Sequence, residues 1–221
     1  MHLTKGTINS SQFVGIHGLA TDAYCLVPKH IHPKEEKKIE EVLGLKPFKV
    51  SIGGTGLIGA LAAGNSNGLV VSSIIEEKEL IELTALGLKV KAIKGFSAFG
   101  NLVAVNDNGM VLSNFLSQTE KNELKEFFGL PAIELNYGYN ELVGSSTVAT
   151  NKGFVAHPRV SNEDLEKIKG ILKVDGLRST ANYGDPFVRN DIIANSNGAL
   201  IGENTSGPEM VRIDEGLSGG K

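Results

Sequence analysis

The polar and apolar positions of this chain fall into a phrase that returns five times. A polar residue opens it, two residues follow, then usually Gly, then three apolar residues. It reads Asn65-Ser66-Asn67-Gly68 before Leu69-Val70-Val71, and Asn106-Asp107-Asn108-Gly109 before Met110-Val111-Leu112. It returns as Thr150-Asn151-Lys152-Gly153 before Phe154-Val155-Ala156, and as Asn195-Ser196-Asn197-Gly198 before Ala199-Leu200-Ile201. The first copy is degenerate: Thr21-Asp22-Ala23-Tyr24 before Cys25-Leu26-Val27. Successive openings lie 44, 41, 44 and 45 residues apart. A steady period of this length marks a repeat architecture.

The flanks predict the elements. Small or apolar residues precede each opening, as in Val103-Ala104-Val105, and apolar runs follow it, so both arms read as strands of a hairpin. Asn-Gly at Asn67-Gly68, Asn108-Gly109 and Asn197-Gly198 predicts a type I′ turn, which needs positive φ at both central residues. The uniformly apolar second arms predict strands covered on both faces. A helix follows each hairpin. The first starts at Pro33 and stops at Gly44, and the second runs from about Glu76 to Leu86 before Gly87. The third carries the capping pair Ser117 and Glu120 and stops at Gly129; the fourth has Ser161 with Asp164, and the fifth begins at Pro208. Leu165, Ile168 and Leu172 show the spacing of amphipathic surface helices. Third strands are predicted at about 46–52, 88–94, 131–137 and 176–182.

The fifth copy has no third strand after its helix. Ile8 precedes Gly15 as Ile52 precedes Gly59 and Ile93 precedes Gly100, so the start of the chain reads as the missing strand. That requires units five and one to be neighbours, in a closed ring without exposed edges. The expected architecture is one α/β domain, residues 1–221, of five strand-strand-helix-strand units with pseudo-five-fold symmetry. The units span roughly 11–52, 53–94, 95–137, 138–182 and 183–221, with residues 5–10 completing the last.

Composition narrows the function. With 22 basic and 25 acidic side chains the net charge is −3, which disfavours binding carried mainly by phosphate contacts. The single cysteine, Cys25, forbids an internal disulfide and points to a reducing cytoplasm. The first residues show no signal-peptide core, and no apolar run is long enough for a membrane span. Cys25 occupies a strand position that is Leu69, Met110, Phe154 or Ala199 elsewhere, so it reads as a core residue. His30 and His32 form a His-x-His pair without a third ligand, and His157 before Pro158 reads as structural. Gly54-Thr55-Gly56-Leu57-Ile58-Gly59 matches the dinucleotide-binding glycine fingerprint, with Glu76 downstream. That fingerprint needs a helix opening at the glycines, whereas the repeat places the first arm of a hairpin there. The third copy, Phe96-Ser97-Ala98-Phe99-Gly100, also lacks the glycine pair. Neither a cofactor nor a metal is expected.

One constellation remains. The residues opening each unit are Gly15-Ile16, Gly59-Ala60, Gly100-Asn101, Gly144-Ser145 and Arg189-Asn190. Symmetry would gather them at one mouth of the ring. Only Arg189 is charged, which suits protein contact better than phosphate contact. Narrow packing around the axis would demand small residues as well.

The run Thr21-Asp22-Ala23-Tyr24-Cys25-Leu26-Val27-Pro28 resembles the first unit of the translation initiation factor 6 family. So do Ile52-Gly53-Gly54 leading to Leu57-Ile58-Gly59, Ala98-Phe99-Gly100-Asn101 with Asn106-Asp107, Leu142-Val143-Gly144-Ser145, and Val155-Ala156-His157-Pro158. The resemblance covers the whole chain in order and spacing, and the short end after the fifth helix is similar to the archaeal branch. It implies the pentein fold. It also implies a monomeric, non-enzymatic factor that binds the large ribosomal subunit and blocks the small one. The contact would be a ribosomal protein near the sarcin-ricin loop, with rRNA at the margin. The family's contact face maps to Gly15, Ala60, Asn101 and their symmetry mates, although this chain has Ala60 where the family has a larger or charged residue. Other penteins are guanidino-modifying enzymes that use a late cysteine with a histidine, and this chain has no cysteine after Cys25. A ring scaffold for another protein partner is the remaining alternative.

Overall fold

The computed structural model describes residues 1–95, 98–138 and 140–220; Phe96 and Ser97 of the third opening, Tyr139 and Lys221 lie outside the described residues. The chain starts with β1 (His2–Gly6). The first unit follows as α1 (Val14–His17), β2 (Leu19–Ala20), β3 (Cys25–Pro28), α2 (Pro33–Leu43) and β4 (Phe48–Val50). The second is α3 (Ile58–Leu61), β5 (Ala62–Asn65), β6 (Gly68–Ser72), α4 (Glu77–Ala85) and β7 (Val90–Ile93). The third is α5 (Phe99–Leu102), β8 (Val103–Val105), β9 (Met110–Ser113), α6 (Gln118–Phe128) and β10 (Ala132–Leu135). The fourth has β11 (Thr147–Ala149), β12 (Phe154–Ala156), α7 (Asn162–Leu172) and β13 (Gly176–Arg178). The fifth has α8 (Val188–Asp191), β14 (Ile192–Ala194), β15 (Gly198–Gly202) and α9 (Gly207–Leu217).

The strands make five three-stranded sheets, each an antiparallel hairpin with a parallel third strand beside its second arm. In the fifth sheet that third strand is β1, which runs parallel to β15 with Lys5 opposite Ile201. The first arms β2, β5, β8, β11 and β14 touch in cyclic order, β14 against β2, so the molecule is a closed α/β ring of five strand-strand-helix-strand units. Alternation along the second arms fills two junctions at once. Cys25 and Val27 of β3 face Ile193 and Leu200 of the fifth unit, while Leu26 faces Leu69 and Leu83 of the second. Among the described residues there are accordingly five apolar clusters, one at each junction. A period-2 strand covered on both faces is what couples each unit to two neighbours.

Two expectations need correction. The Asn-Gly turns are not type I′, because Asn67, Asn108, Asn197 and the glycines after them do not have positive φ. Asn106 Oδ1 instead accepts from the N–H of Asn108 and Gly109, at 2.9 and 3.1 Å, and Asn195 does the same for Asn197 and Gly198. Such side-chain turns let Asn fold the backbone without left-handed residues. The glycines are kept by packing: a methyl on Gly109 would lie 2.2 Å from Ile171 O of α7, and one on Gly198 2.2 Å from Val42 O of α2. In the degenerate copy Tyr24 takes the glycine's place, buried against the second unit, with its hydroxyl donating to Gly68 O at 3.0 Å. The second correction concerns the residues after Ile58, read as a hairpin arm. They first make a single helical turn, α3, and equivalent turns open the first, third and fifth units.

The turns with paired positive φ lie elsewhere, just before the openings. Asn9 and Ser10 have φ of 50° and 64°, and Gly53 and Gly54 of 60° and 71°. Their N–H groups converge on a carboxylate from the next long helix along the chain, forming anion-holding nests. Glu35 accepts from Asn9 N at 2.9 Å, and Glu79 from Gly53 N and Gly54 N at 2.7 and 2.9 Å. Glu209 does so for Tyr183 N and Gly184 N, at 3.2 and 2.8 Å. Each of these carboxylates is the third residue of its helix, so one side chain sets both the start of a long helix and the entry to an opening turn.

Gly170 shows the opposite case to the packed glycines. It lies inside α7 with open space around it. Gly170→Ala is expected to stabilise the fold by about 0.5–1 kcal/mol through helix propensity and a less flexible unfolded chain, read from urea melts.

Candidate functional site

The opening residues are brought together, by backbone contact rather than side chains. A methyl on Gly15 would lie 1.8 Å from Arg189 O, one on Gly59 1.9 Å from Gly15 O, and one on Gly100 1.9 Å from Gly59 O. One on Gly144 would lie 2.4 Å from Gly100 O. Arg189 completes the circuit differently, donating its N–H to Ser145 O at 2.9 Å, and there a side chain fits. The four glycines and Ser145 are buried, so packing accounts for their size. Ile16, Ala60, Asn101, Arg189 and Asn190 are half-buried and present the surface. The Arg189 guanidinium turns inward, where Nη1 donates to Gly15 O at 2.9 Å. Burial lowers its pKa to about 10, which leaves it charged at neutral pH.

Sequence reasoning missed the residue in front of each opening. Phe13, Leu57, Ala98, Leu142 and Phe187 immediately precede the five opening segments, and all are apolar. Leu57 and Leu142 are 40% and 39% exposed. The signal was present, eight positions before each repeat anchor, but a short apolar pair such as Phe13-Val14 or Leu57-Ile58 ahead of a glycine has no period that assigns it a role. The mouth is thus a set of small, apolar and amide groups whose one charge is paired internally.

The remaining candidates find structural partners. Cys25 is fully buried, and burial pushes its thiol pKa up to about 12, far from nucleophilic range. His32 Nδ1 accepts from Lys34 N at 3.2 Å and caps α2. His157 Nδ1 accepts from Arg159 N at 3.0 Å, with its pKa lowered by burial and by the Arg159 charge. Among the described residues no three His, Cys, Asp or Glu side chains are grouped to hold a metal ion. Each glycine of the dinucleotide-like fingerprint has its own reason: Gly54 feeds Glu79, Gly56 packs on Pro28, and Gly59 packs on Gly15. The four-residue turn at Ile58–Leu61 offers no extended helix behind a pyrophosphate. Among the described residues no helix is long and apolar enough to cross a membrane.

The chain matches the eIF-6 family over residues 3–216. Translation initiation factor 6 of Pyrococcus abyssi (strain GE5 / Orsay) is 34% identical over 224 residues, which span 98% of this chain and 99% of the relative. That of Thermococcus onnurineus (strain NA1) is 36% identical over 98% of each. The chain belongs to the eIF-6 family. Translation initiation factor 6 of Methanococcus vannielii is 37% identical over 92% of this chain and 93% of the relative. As an eIF-6 family member this chain is a translation factor, and it is built as a five-unit α/β ring. A solved DDAH from Pseudomonas aeruginosa, complexed with citrulline, is similar at a TM-score of 0.47 and 14% identity, over 94% of this chain and 73% of that one. Nothing about this chain follows from that distant likeness.

Proposed function

We propose that this factor binds the large ribosomal subunit with its opening mouth and thereby keeps the small subunit from joining. The presented contact surface comprises Ile16, Ala60, Asn101, Arg189 and Asn190, held in place by the buried Gly15, Gly59, Gly100, Gly144 and Ser145, with exposed Leu57 and Leu142 as its apolar rim. The supporting observation is the chemistry of that mouth. Apolar and amide groups ring an axis where Arg189, the one charged residue among the ten, already has a carbonyl partner. Such a surface suits a ribosomal protein near the sarcin-ricin loop, with rRNA only at the edge, because phosphate binding would need unpaired cations.

The mechanism needs no chemical step and no cofactor. The backbone circuit of Gly15, Gly59, Gly100 and Gly144 holds the presenting residues rigidly, so little is lost in ordering them on contact. A contact of roughly 800 Å² per partner makes an ordinary stable complex. Once seated, the ring excludes the small subunit by volume, and its effect scales with residence time, which is governed mostly by the off-rate. The sole thiol lies in a sealed strand, so a nucleophilic enzyme is a poor fit to this chain.

Asn101→Arg tests the face. A guanidinium forced unpaired into the contact is expected to weaken binding to isolated large subunits by roughly ten- to a hundredfold, about 1.4–3 kcal/mol. The folded ring should keep its melting temperature, because Asn101 is half-buried at the mouth. Sedimentation with purified subunits reads both parts of the proposal. The wild type should travel with large subunits and reduce their joining. Binding unchanged in Asn101→Arg would remove this face, and a wild type that stays at the top of the gradient would remove the proposal.

A further inference from the structure

We propose that a proton held between Asp191 and Asn182 bolts the fifth unit onto the amino-terminal segment, so that ring closure is sensitive to alkaline pH. Asp191 ends α8 where α3 and α5 end in the core residues Leu61 and Leu102, and it is fully buried. Its Oδ1 accepts from Asn182 Nδ2 at 2.5 Å, and the same amide donates to Gln12 O at 3.1 Å, in the segment leading to α1. Among the described residues, Asp191 Oδ2 and Asn182 Oδ1 are both buried without a partner.

Two orphaned acceptors on either side of one hydrogen bond are what an acid–amide pair looks like without its proton. A proton on Asp191 Oδ2 donates to Asn182 Oδ1 and satisfies both oxygens, giving a two-point pair whose second amide hydrogen still reaches Gln12. An ionised carboxylate would leave both oxygens buried and unsatisfied, which interiors avoid. The Asn182 amide is wedged against the backbone, so that even a methyl on Gly202 would lie 2.3 Å from its oxygen.

The surrounding charges favour the neutral acid. Asp185, in the loop before α8, and Glu209, from α9, are carboxylates. On α8 itself Arg189 turns to Gly15 O, and on α1 His17 turns to Gly56 O. Gln12 is uncharged, and among the described residues no cation pairs with Asp191. Burial first, then the Asp185 charge, push the Asp191 pKa up to about 8 against the opposing hydrogen bond from Asn182. Because the folded pKa is raised, this group's contribution is complete below the ordinary carboxylate pKa. It declines as pH rises and is gone above about 8.

Asp191→Asn mimics the protonated acid, since its amide donates where the proton would. In urea melts between pH 5 and 8, the wild type is expected to lose roughly tenfold in folded-to-unfolded ratio per pH unit relative to D191N. Asp185 and Glu209 are common to both proteins and cancel. Parallel profiles would overturn the proposal. So would stabilisation of the wild type but not D191N by calcium or magnesium, which would put a cation in the proton's place. If D191N fails to fold, carboxyl ¹³C NMR of the wild type decides. One buried aspartate resonance should keep its acid position through neutrality and move only near pH 8, whereas titration of every carboxyl below pH 6 would refute the held proton.

Discussion

Gly59→Ala is expected to cost more than about 3 kcal/mol and to leave much of the protein unfolded at physiological temperature. The change adds one methyl group. That methyl would lie 1.9 Å from Gly15 O and 2.5 Å from Gly18 O, distances that a carbon and a carbonyl oxygen do not adopt. Both obstacles are backbone, so no side chain can rotate away. Relief requires α1 and α3 to separate, and α1 is itself closed on Arg189 O while α3 is closed on by Gly100. A ring transmits the displacement round the axis instead of letting an edge relax. Helix propensity works the other way, since alanine in a helix gains about 0.5–1 kcal/mol over glycine. The sign of the effect therefore tells which term rules. Urea melts of Gly59→Ala against the wild type decide it. Stability within 1 kcal/mol of the wild type would mean that the axis is looser than these distances imply, and the rigid presentation of the mouth would go with it.

The repeat, the hairpins, the doubly covered second arms and the long helices were legible because their causes are local. A capping pair such as Ser117 with Glu120 is written within four residues, and it forms as read. The apolar run Leu69-Val70-Val71 announces burial on both faces without saying against what. What the sequence hid depends on partners far away in the chain. A helix of four residues has no period to detect, so the opening turns passed for strand. The glycines of Asn67-Gly68 and Asn108-Gly109 carried the signature of left-handed turns, yet their cause is the helix end of the next unit. Conversely, Asn9-Ser10 adopts paired positive φ with no glycine at all, because Glu35 holds both N–H groups from α2. The candidate mouth was legible as a list of residues. That its glycines are sealed within the circuit, and that Leu57 and Leu142 stand exposed in front of the opening segments, required the fold.

Those helix carboxylates carry the second large effect, and Glu209 is the strongest case. Glu209→Gln is expected to lower stability by about 3 kcal/mol at pH 7 and by little near pH 2. The carboxylate is nearly buried, and burial alone would raise its pKa. Hydrogen bonds from Ser206 N, Thr180, the Ser206 hydroxyl and Gly184 N prevail and hold it down at about 2. Donors surround both oxygens: Thr180 Oγ1 and Gly184 N reach Oε1 at 2.7 and 2.8 Å, and Ser206 N and Oγ reach Oε2 at 2.7 Å each. Glutamine would turn an amide toward one set of these donors, leaving buried N–H groups facing N–H. Since the folded pKa is depressed, the contribution is present above the ordinary glutamate pKa and is lost as pH falls through about 2. Melts of the wild type and E209Q should therefore diverge above pH 5 and converge in acid, whereas a constant gap would assign the loss to packing. Protonation of Glu209 weakens the fifth unit in acid, and Asp191, under our proposal, contributes less as pH rises toward about 8. The two carboxyls meet at the loop of Asn182, Tyr183 and Gly184, so this junction should be firmest between the two limits and open first at either one.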